Sequence, residues 1–239
     1  MAMLFTRPGN NVKFTPYHNY YQAIKVLKIQ SFEFNAFGEK TYIVYDTSSL
    51  EAAVIDPGME TIGEEEMLDG FIEANSLKVK YLILSHLHID HVWGVPHIKE
   101  KYKVPITAHN DGGYLGAIID AQAQMFGLRK SPGRITIENT VADDDVLKLG
   151  EEELVVIHVP GHSPGGIALY APKEKFIIVG DIIFNNSIGR TDLPGGSYKQ
   201  LIEGIKSKIL TLPPETVIYP GHGPETTVGR EAVSNPYLS

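Results

Sequence analysis

The sequence predicts an α/β fold with sheet faces covered by helices, and three observations lead there. Apolar runs of strand length alternate along the chain with amphipathic stretches of helical length. Breakers such as Pro57-Gly58 and Pro160-Gly161 cut these runs short. Four of the runs end within a few residues of a histidine or aspartate, where open sheets carry their functional groups on loops held by a rigid scaffold.

The elements follow in order. Residues 1–22, rich in Asn, Tyr and Pro, show no period and read as an N-terminal arm. Its aromatic residues Phe14, Tyr17, Tyr20 and Tyr21 are expected to pack on the domain that follows, residues 23–239. Strand-like runs occupy 24–30, 41–46 and 51–56. A helix is expected over 61–75, where Met67, Leu68, Phe71 and Ile72 recur at helical spacing. The buried strand 80–85 runs straight into the first histidines. Helices over 94–102 and 111–126 flank a strand at 105–108, and charged, Gly-rich connections fill 127–152. Strands at 153–159, 167–171 and 175–180 precede a helix at 197–209, a strand at 216–220 and a short helix near 226–233.

Composition narrows the function. Hydrophobic residues make up 43% and charged residues 21% of the 239, which is ordinary for a folded domain. The absence of cysteine excludes disulfides, thiolate nucleophiles and sulfur-ligated zinc. A net charge of -8 argues against nucleic acid as a partner but leaves room for a local basic pocket. No apolar run approaches the roughly 20 residues of a membrane span. Arg7, Pro8 and Gly9 interrupt the start of the chain before a signal-peptide core could form, so the expected location is the cytoplasm. Oligomeric state is left open, a homo-oligomer included.

The chemistry lies in Ser85-His86-Leu87-His88-Ile89-Asp90-His91. Side chains alternate along an extended segment, so His86 and His88 point the same way and can share one ion. Asp90 and His91, after a turn, can face a second ion roughly 3.5–4 Å away, with a carboxylate between the two. Three distant residues supply what is missing. His162 in the turn Pro160-Gly161-His162 adds a third nitrogen to the first ion, and His222 completes the second. Asp181, directly after the run 175–180, would bridge. Neighbouring glycines let the backbone turn sharply beside these residues. Asp56 is expected to orient a ligand histidine, whereas His18, His97, His109 and His158 receive no role.

These motifs resemble the metallo-β-lactamase superfamily from about residue 24 to about residue 236. The resemblance implies a four-layered αβ/βα sandwich with two metals in a cleft at the edge of the sheets. It implies His86, His88 and His162 on one ion, Asp90, His91 and His222 on the other, and Asp181 between them. The expected cofactor is a pair of divalent ions, zinc first, with iron and manganese compatible with the same ligands. Asp90 and Asp181 would be the catalytic carboxylates, working with a metal-bound hydroxide.

Departures narrow the branch. The second-metal cysteine of common β-lactamases is absent, and Asp181 matches the bridging aspartate of glyoxalase II. The stretch Gly189-Arg190-Thr191-Asp192 resembles both short bacterial glyoxalase II-like hydrolases and persulfide dioxygenases. In the glyoxalase II family a basic residue at the place of Arg190 contacts the thiol moiety, so Arg190 is the expected substrate clamp. The long C-terminal helical domain of that family is missing, and Gly223-Pro224 follow His222 where the family commonly has a tyrosine. The resulting expectation is hydrolysis of a small anionic thioester such as S-D-lactoylglutathione. The alternatives are an iron persulfide dioxygenase and a related lactonase or ester hydrolase.

Overall fold

The computed structural model describes residues 26–238, whose backbone pairs into two six-stranded sheets. The first runs in the order β1 (Leu27–Phe34), β2 (Glu39–Asp46), β3 (Glu51–Ile55), β4 (Lys78–Ile83), β5 (Ile106–His109), β6 (Asn139–Val141). The second contains β7 (Val146–Leu149), β8 (Glu152–His158), β9 (Ile167–Ala171), β10 (Phe176–Gly180), β13 (Val217–Pro220) and β14 (Thr226–Thr227). A separate two-stranded ribbon, β11 (Ile183–Phe184) with β12 (Ser187–Ile188), follows β10. The arm at 1–22 and the beginning of the expected first strand lie outside the described residues.

Side-chain alternation distributes the apolar residues over three cores. Ile43, Ala52, Val54 and Leu82 face outward, against Leu68 and Ile72 of helix α1 (Ile62–Ala74) and Val95 and Ile98 of α2 (Val95–Tyr102). Their neighbours Tyr42, Val44, Ala53 and Ile83 face the second sheet, where they meet Leu154, Val156, Phe176 and Ile178. On the far side, Ile177 and Val179 pack with Ile205, Leu201 of α5 (Tyr198–Gly204) and Val228 of α6 (Val228–Ser234). Helices, sheet, sheet, helices: the sandwich is four-layered, αβ/βα. Each fully buried Leu or Ile in these cores contributes roughly 1.5–3 kcal/mol.

α1 begins at a capping box, in which Thr61 and Glu64 satisfy each other's backbone N–H groups. Met67 is 59% exposed and lies off the buried face that Leu68 and Ile72 form. The stretch expected as one helix over 111–126 is a 3-10 turn followed by α3 (Gly113–Ala117) and α4 (Ile119–Met125). A side chain at Gly116 would collide with Leu87 and the Ile135 carbonyl, so the chain approaches closely there and breaks at Ile118. The expected connection 127–152 contains β6 and β7, too short to show a period. The helix at 197–209 widens into a π turn at Ile205–Ile209, and Thr226–Thr227 pair as β14 before α6 starts. Among the described residues no helix is long and apolar enough to cross a membrane.

Candidate metal centre

β4, β8, β10 and β13 each deliver one part of the site from their C-terminal ends. β8 and β10 both pair antiparallel with β9, and β10 pairs parallel with β13, so all three point the same way. The segment after β4 crosses to meet them. Leu87 is fully buried, and its two neighbours turn the other way, with the His86 and His88 ring centroids 4.7 Å apart. Asp90 and His91 then sit on a single 3-10 turn, Ile89–His91.

The imidazoles converge. His162 Nε2 lies 2.9 Å from His88 Nδ1 and 3.2 Å from His86 Nε2. On the other side, His222 Nε2 lies 3.2 Å from Asp90 Oδ2, and His91 Nε2 lies 3.6 Å from that same oxygen. Asp181 reaches both groups: Oδ1 is 3.4 Å from His91 Nε2, and Oδ2 is 3.6 Å from both His162 Nε2 and His222 Nε2.

Hydrogen bonds on the far side of each ring decide which nitrogen carries the proton. His162 Nδ1 donates to the Arg190 carbonyl at 2.8 Å and His222 Nδ1 to the Phe37 carbonyl at 3.2 Å. His91 Nδ1 donates to Asp56 Oδ2 at 3.2 Å. Ser85 Oγ spends its proton on the same Asp56 oxygen and therefore accepts from His86 Nδ1 at 3.1 Å. In all four rings Nδ1 is engaged by an outer partner and Nε2 faces the centre, the orientation that metal-ligating histidines are given by their outer partners.

Charge differs between the two halves. Burial pushes His86 well below the ordinary imidazole range and His88 down to about 3, with help from the neighbouring rings, and lowers His162 as well. These rings are neutral, with free lone pairs. Burial would also lower His91, but Asp90 and Asp181 outweigh it and raise it well above the usual range. Burial opposes ionisation of Asp181 too, yet His91, His162 and His222 hold its carboxyl below the usual range.

The donor set fits divalent cations. His91 Nε2 and Asp181 Oδ1, which face the centre, are buried side-chain atoms without a hydrogen-bond partner, and a buried polar atom left so is costly. Gly221 leaves room beside them, since a Cβ there would strike Asp181 Oδ1 and His91. His86, His88 and His162 form one trio with mutually close ligand atoms, and Asp90, His91 and His222 a second.

The structure also shows residues that carried no assignment in the sequence. Ser85 stood at the head of the histidine motif, and Gln122, Asn35 and Glu39 gave no signal. Gln122 accepts from Ile89 N and donates to the carbonyls of Leu87 and Leu115, clamping the histidine segment to α4. Asn35 donates to the carbonyls of Gly58 and Asp90. Glu39 is fully buried 3.7 Å from His91 Nδ1, and burial raises its carboxyl well above the usual range. Asp56 accepts from Ser85 N, Ser85 Oγ and His91 Nδ1, the orienting place anticipated for it. Arg190 lines the cleft, with Nε and Nη2 donating to Asp192 at 2.7 Å each. His109 and His158 stack at 3.8 Å with planes 11° apart. Lone pairs in parallel ring planes do not converge, so this pair is a packing contact between β5 and β8.

Comparison with known proteins identifies the family. The sequence pattern of the metallo-beta-lactamase superfamily matches residues 37–222. The hydroxyacylglutathione hydrolase GloC of Haemophilus influenzae is 36% identical over 214 residues, 89% of this chain and 99% of that one. Two solved structures are similar over most of the chain. The BLEG-1 B3 metallo-beta-lactamase has a TM-score of 0.80 at 30% identity, covering 89% of this chain and 100% of its own. The di-iron-bound form of TTHA1623 has a TM-score of 0.77 at 33% identity, covering 87% and 100%.

Proposed function

As a member of the metallo-β-lactamase superfamily this chain is a metal-dependent hydrolase, and we propose that it hydrolyses a small anionic thioester at a two-metal centre. The observation that carries this reading is Asp181, whose carboxylate stands between the His86–His88–His162 trio and the Asp90–His91–His222 trio. Similarity to GloC supports the thioester class. The nitrogen and oxygen donors suit zinc first, with iron and manganese compatible.

In this reading His86, His88 and His162 would hold one ion and Asp90, His91 and His222 the other, with the Asp181 carboxylate available to both. Two divalent ions bound there would supply the acidity that ionises water near neutral pH and the charge that polarises a carbonyl. The chain's residues do the rest. Asp90, partly open to the cleft, orients the attacking water and can take its proton. Asp181 and the carbonyls behind His162 and His222 keep the rings fixed while charge develops on the substrate oxygen. Asp192 occupies the Nε and Nη2 edge of Arg190, which leaves Nη1 and a second Nη2 hydrogen for a substrate carboxylate. The departing group is a thiolate, a stable anion that requires no strong general acid.

Metal content measured beside S-D-lactoylglutathione hydrolysis tests the proposal. Two equivalents of metal, with turnover abolished in His88→Ala, are the expected result. A single iron with oxygen uptake and no hydrolysis would transfer the site to persulfide oxidation. Two metals with turnover only of lactones or oxygen esters would keep the hydrolase and overturn the thioester.

A further inference from the structure

The turn between β1 and β2, residues 35–38, touches the half of the centre formed by Asp90, His91 and His222 at two places. At one end Asn35 Nδ2 donates to the Asp90 carbonyl at 3.0 Å and to the Gly58 carbonyl at 2.9 Å. At the other the Phe37 carbonyl accepts from His222 Nδ1 at 3.2 Å. Asn35 joins these two ends. Its Oδ1 accepts from Phe37 N at 2.9 Å, which fixes the peptide before Phe37. Its carbonyl accepts from Gly38 N at 3.3 Å, which fixes the peptide whose oxygen faces His222.

The circuit closes on the other side. His222 Nε2 lies 3.2 Å from Asp90 Oδ2, so a path from Asp90 through Asn35 and Phe37 to His222 returns to Asp90. Neither side chain can shift alone without stretching a hydrogen bond of that ring. The turn is itself anchored at both flanks. Asn35 N donates at 2.8 Å to Glu64 Oε1, the carboxylate of the α1 capping box, and Lys40 N donates at 2.8 Å to the Gly221 carbonyl. Asn35 has φ 50°, a left-handed conformation that asparagine tolerates. A turn asparagine ordinarily bonds only its own backbone neighbours, whereas the amide nitrogen of this one reaches segments 23 and 55 residues away. The rings of the other trio are aimed from elsewhere, His86 by Ser85 and His162 by the Arg190 carbonyl.

Resting on the two-metal reading, we propose that Asn35 is a positioning residue for the second ion, holding Asp90 and His222 face to face, and that the ion of His86, His88 and His162 does not depend on it. The part of Asn35 is distinct from that of Asp56, which aims His91 from behind. It acts on the two remaining members of the same trio, one through its main chain and one through its ring.

Chelator competition on the cobalt(II)-loaded protein reads the two ions separately, the equivalent lost in His222→Ala marking the second. Asn35→Gly and Asn35→Asp are the variants, since both residues accept φ 50° and keep the backbone bond to Glu64. Glycine deletes the side-chain bonds to Gly58, Asp90 and Phe37, whereas aspartate keeps the last and aims an oxygen at the two carbonyls. Each should weaken the second ion about 10–100-fold and change the visible absorption of its cobalt, with the first ion moved by about threefold at most. Added to His222→Ala, Asn35→Gly should leave the affinity of the remaining ion unchanged, an outcome that general loosening of the fold would not give. Equal weakening of both ions, a loss confined to the first, or no loss of either overturns the inference. So does a weaker remaining ion in the double variant. The two readings fail separately: a single equivalent in the unaltered protein defeats the two-metal centre and the inference with it, whereas two equivalents indifferent to Asn35 keep the centre and remove the inference alone.

Discussion

Asp56→Asn probes how the site is held together. Asp56 is 1% exposed, and its backbone has φ 50°, a conformation asparagine tolerates, so the substitution leaves the turn intact. Its Oδ1 accepts from Ser85 N at 2.6 Å, a bond the amide oxygen can keep. The other oxygen accepts from two donors, the Ser85 hydroxyl at 2.5 Å and His91 Nδ1 at 3.2 Å. An amide nitrogen in its place presents hydrogens to both. Ser85 can rotate its hydroxyl, but the His91 ring has a fixed N–H and must tilt or change tautomer. Removing such an orienting partner typically weakens metal affinity 10–100-fold, or about 1.4–2.8 kcal/mol. On the two-metal reading, the loss should fall on the ion that Asp90, His91 and His222 would hold, with the ion of His86, His88 and His162 weakened by about threefold at most. Chelator competition, following the two equivalents separately, measures both. Equal loss of the two ions, or no loss of either, would refute the assignment of His91's orientation to Asp56.

Three further outcomes are expected. Gly221→Ala drives a methyl against Asp181 Oδ1 and His91, so activity should drop about 100-fold, the scale of a small misplacement at a reacting centre. Overpacking should cost only about 1–3 kcal/mol in urea unfolding, and retained activity would contradict the geometry. Leu87→Ala empties a fully buried position that packs on Gly112 and Gly116, with an expected loss of about 2–5 kcal/mol; under 1 kcal/mol would show that the loop collapses into the space. Asp69 accepts from Tyr102 Oη at 2.6 Å and pairs with His97 and Lys101 at 2.9 Å each. Burial opposes its ionisation, but these partners lower its carboxyl below the ordinary value. Its contribution is therefore complete above the unfolded pKa of about 3.9 and lost as pH falls through the lower native value. Asp69→Asn should be less stable than the natural protein at pH 7, and the gap should close in acid; a gap that persisted there would rule out this charge as its cause.

The fold was legible where elements were long and two-sided. The runs at 41–46, 51–56 and 175–180 are buried on both faces, so they read as unbroken apolar stretches and fall where the structure pairs them as β2, β3 and β10. β6 and β14 are three and two residues long, and their pairing is set by the strands beside them. The broken helix at 111–126 has a different cause. Its apolar spacing is helical, but the close approach of Gly116 to Leu87 and Ile135 is a tertiary demand that periodicity does not carry.

The site divides along a similar line. His86, His88, Asp90, His91, His162, Asp181 and His222 were visible because histidine and aspartate at strand ends are chemically conspicuous, and the folded chain brings all seven together. The groups that aim them were mostly invisible for the opposite reason. Two are backbone carbonyls, of Arg190 and Phe37, which every residue possesses. Another is the Ser85 hydroxyl, which turns a lone pair to His86 only because its O–H donates to Asp56. Glu39 opens β2 and in sequence looks like a solvated strand end, yet it is enclosed because Gly58 has no side chain to displace it. Residue type thus announces what can bind a cation. Which ring nitrogen is bare, and where it points, depends on partners up to 185 residues away in the chain, and only the closed sandwich brings those together.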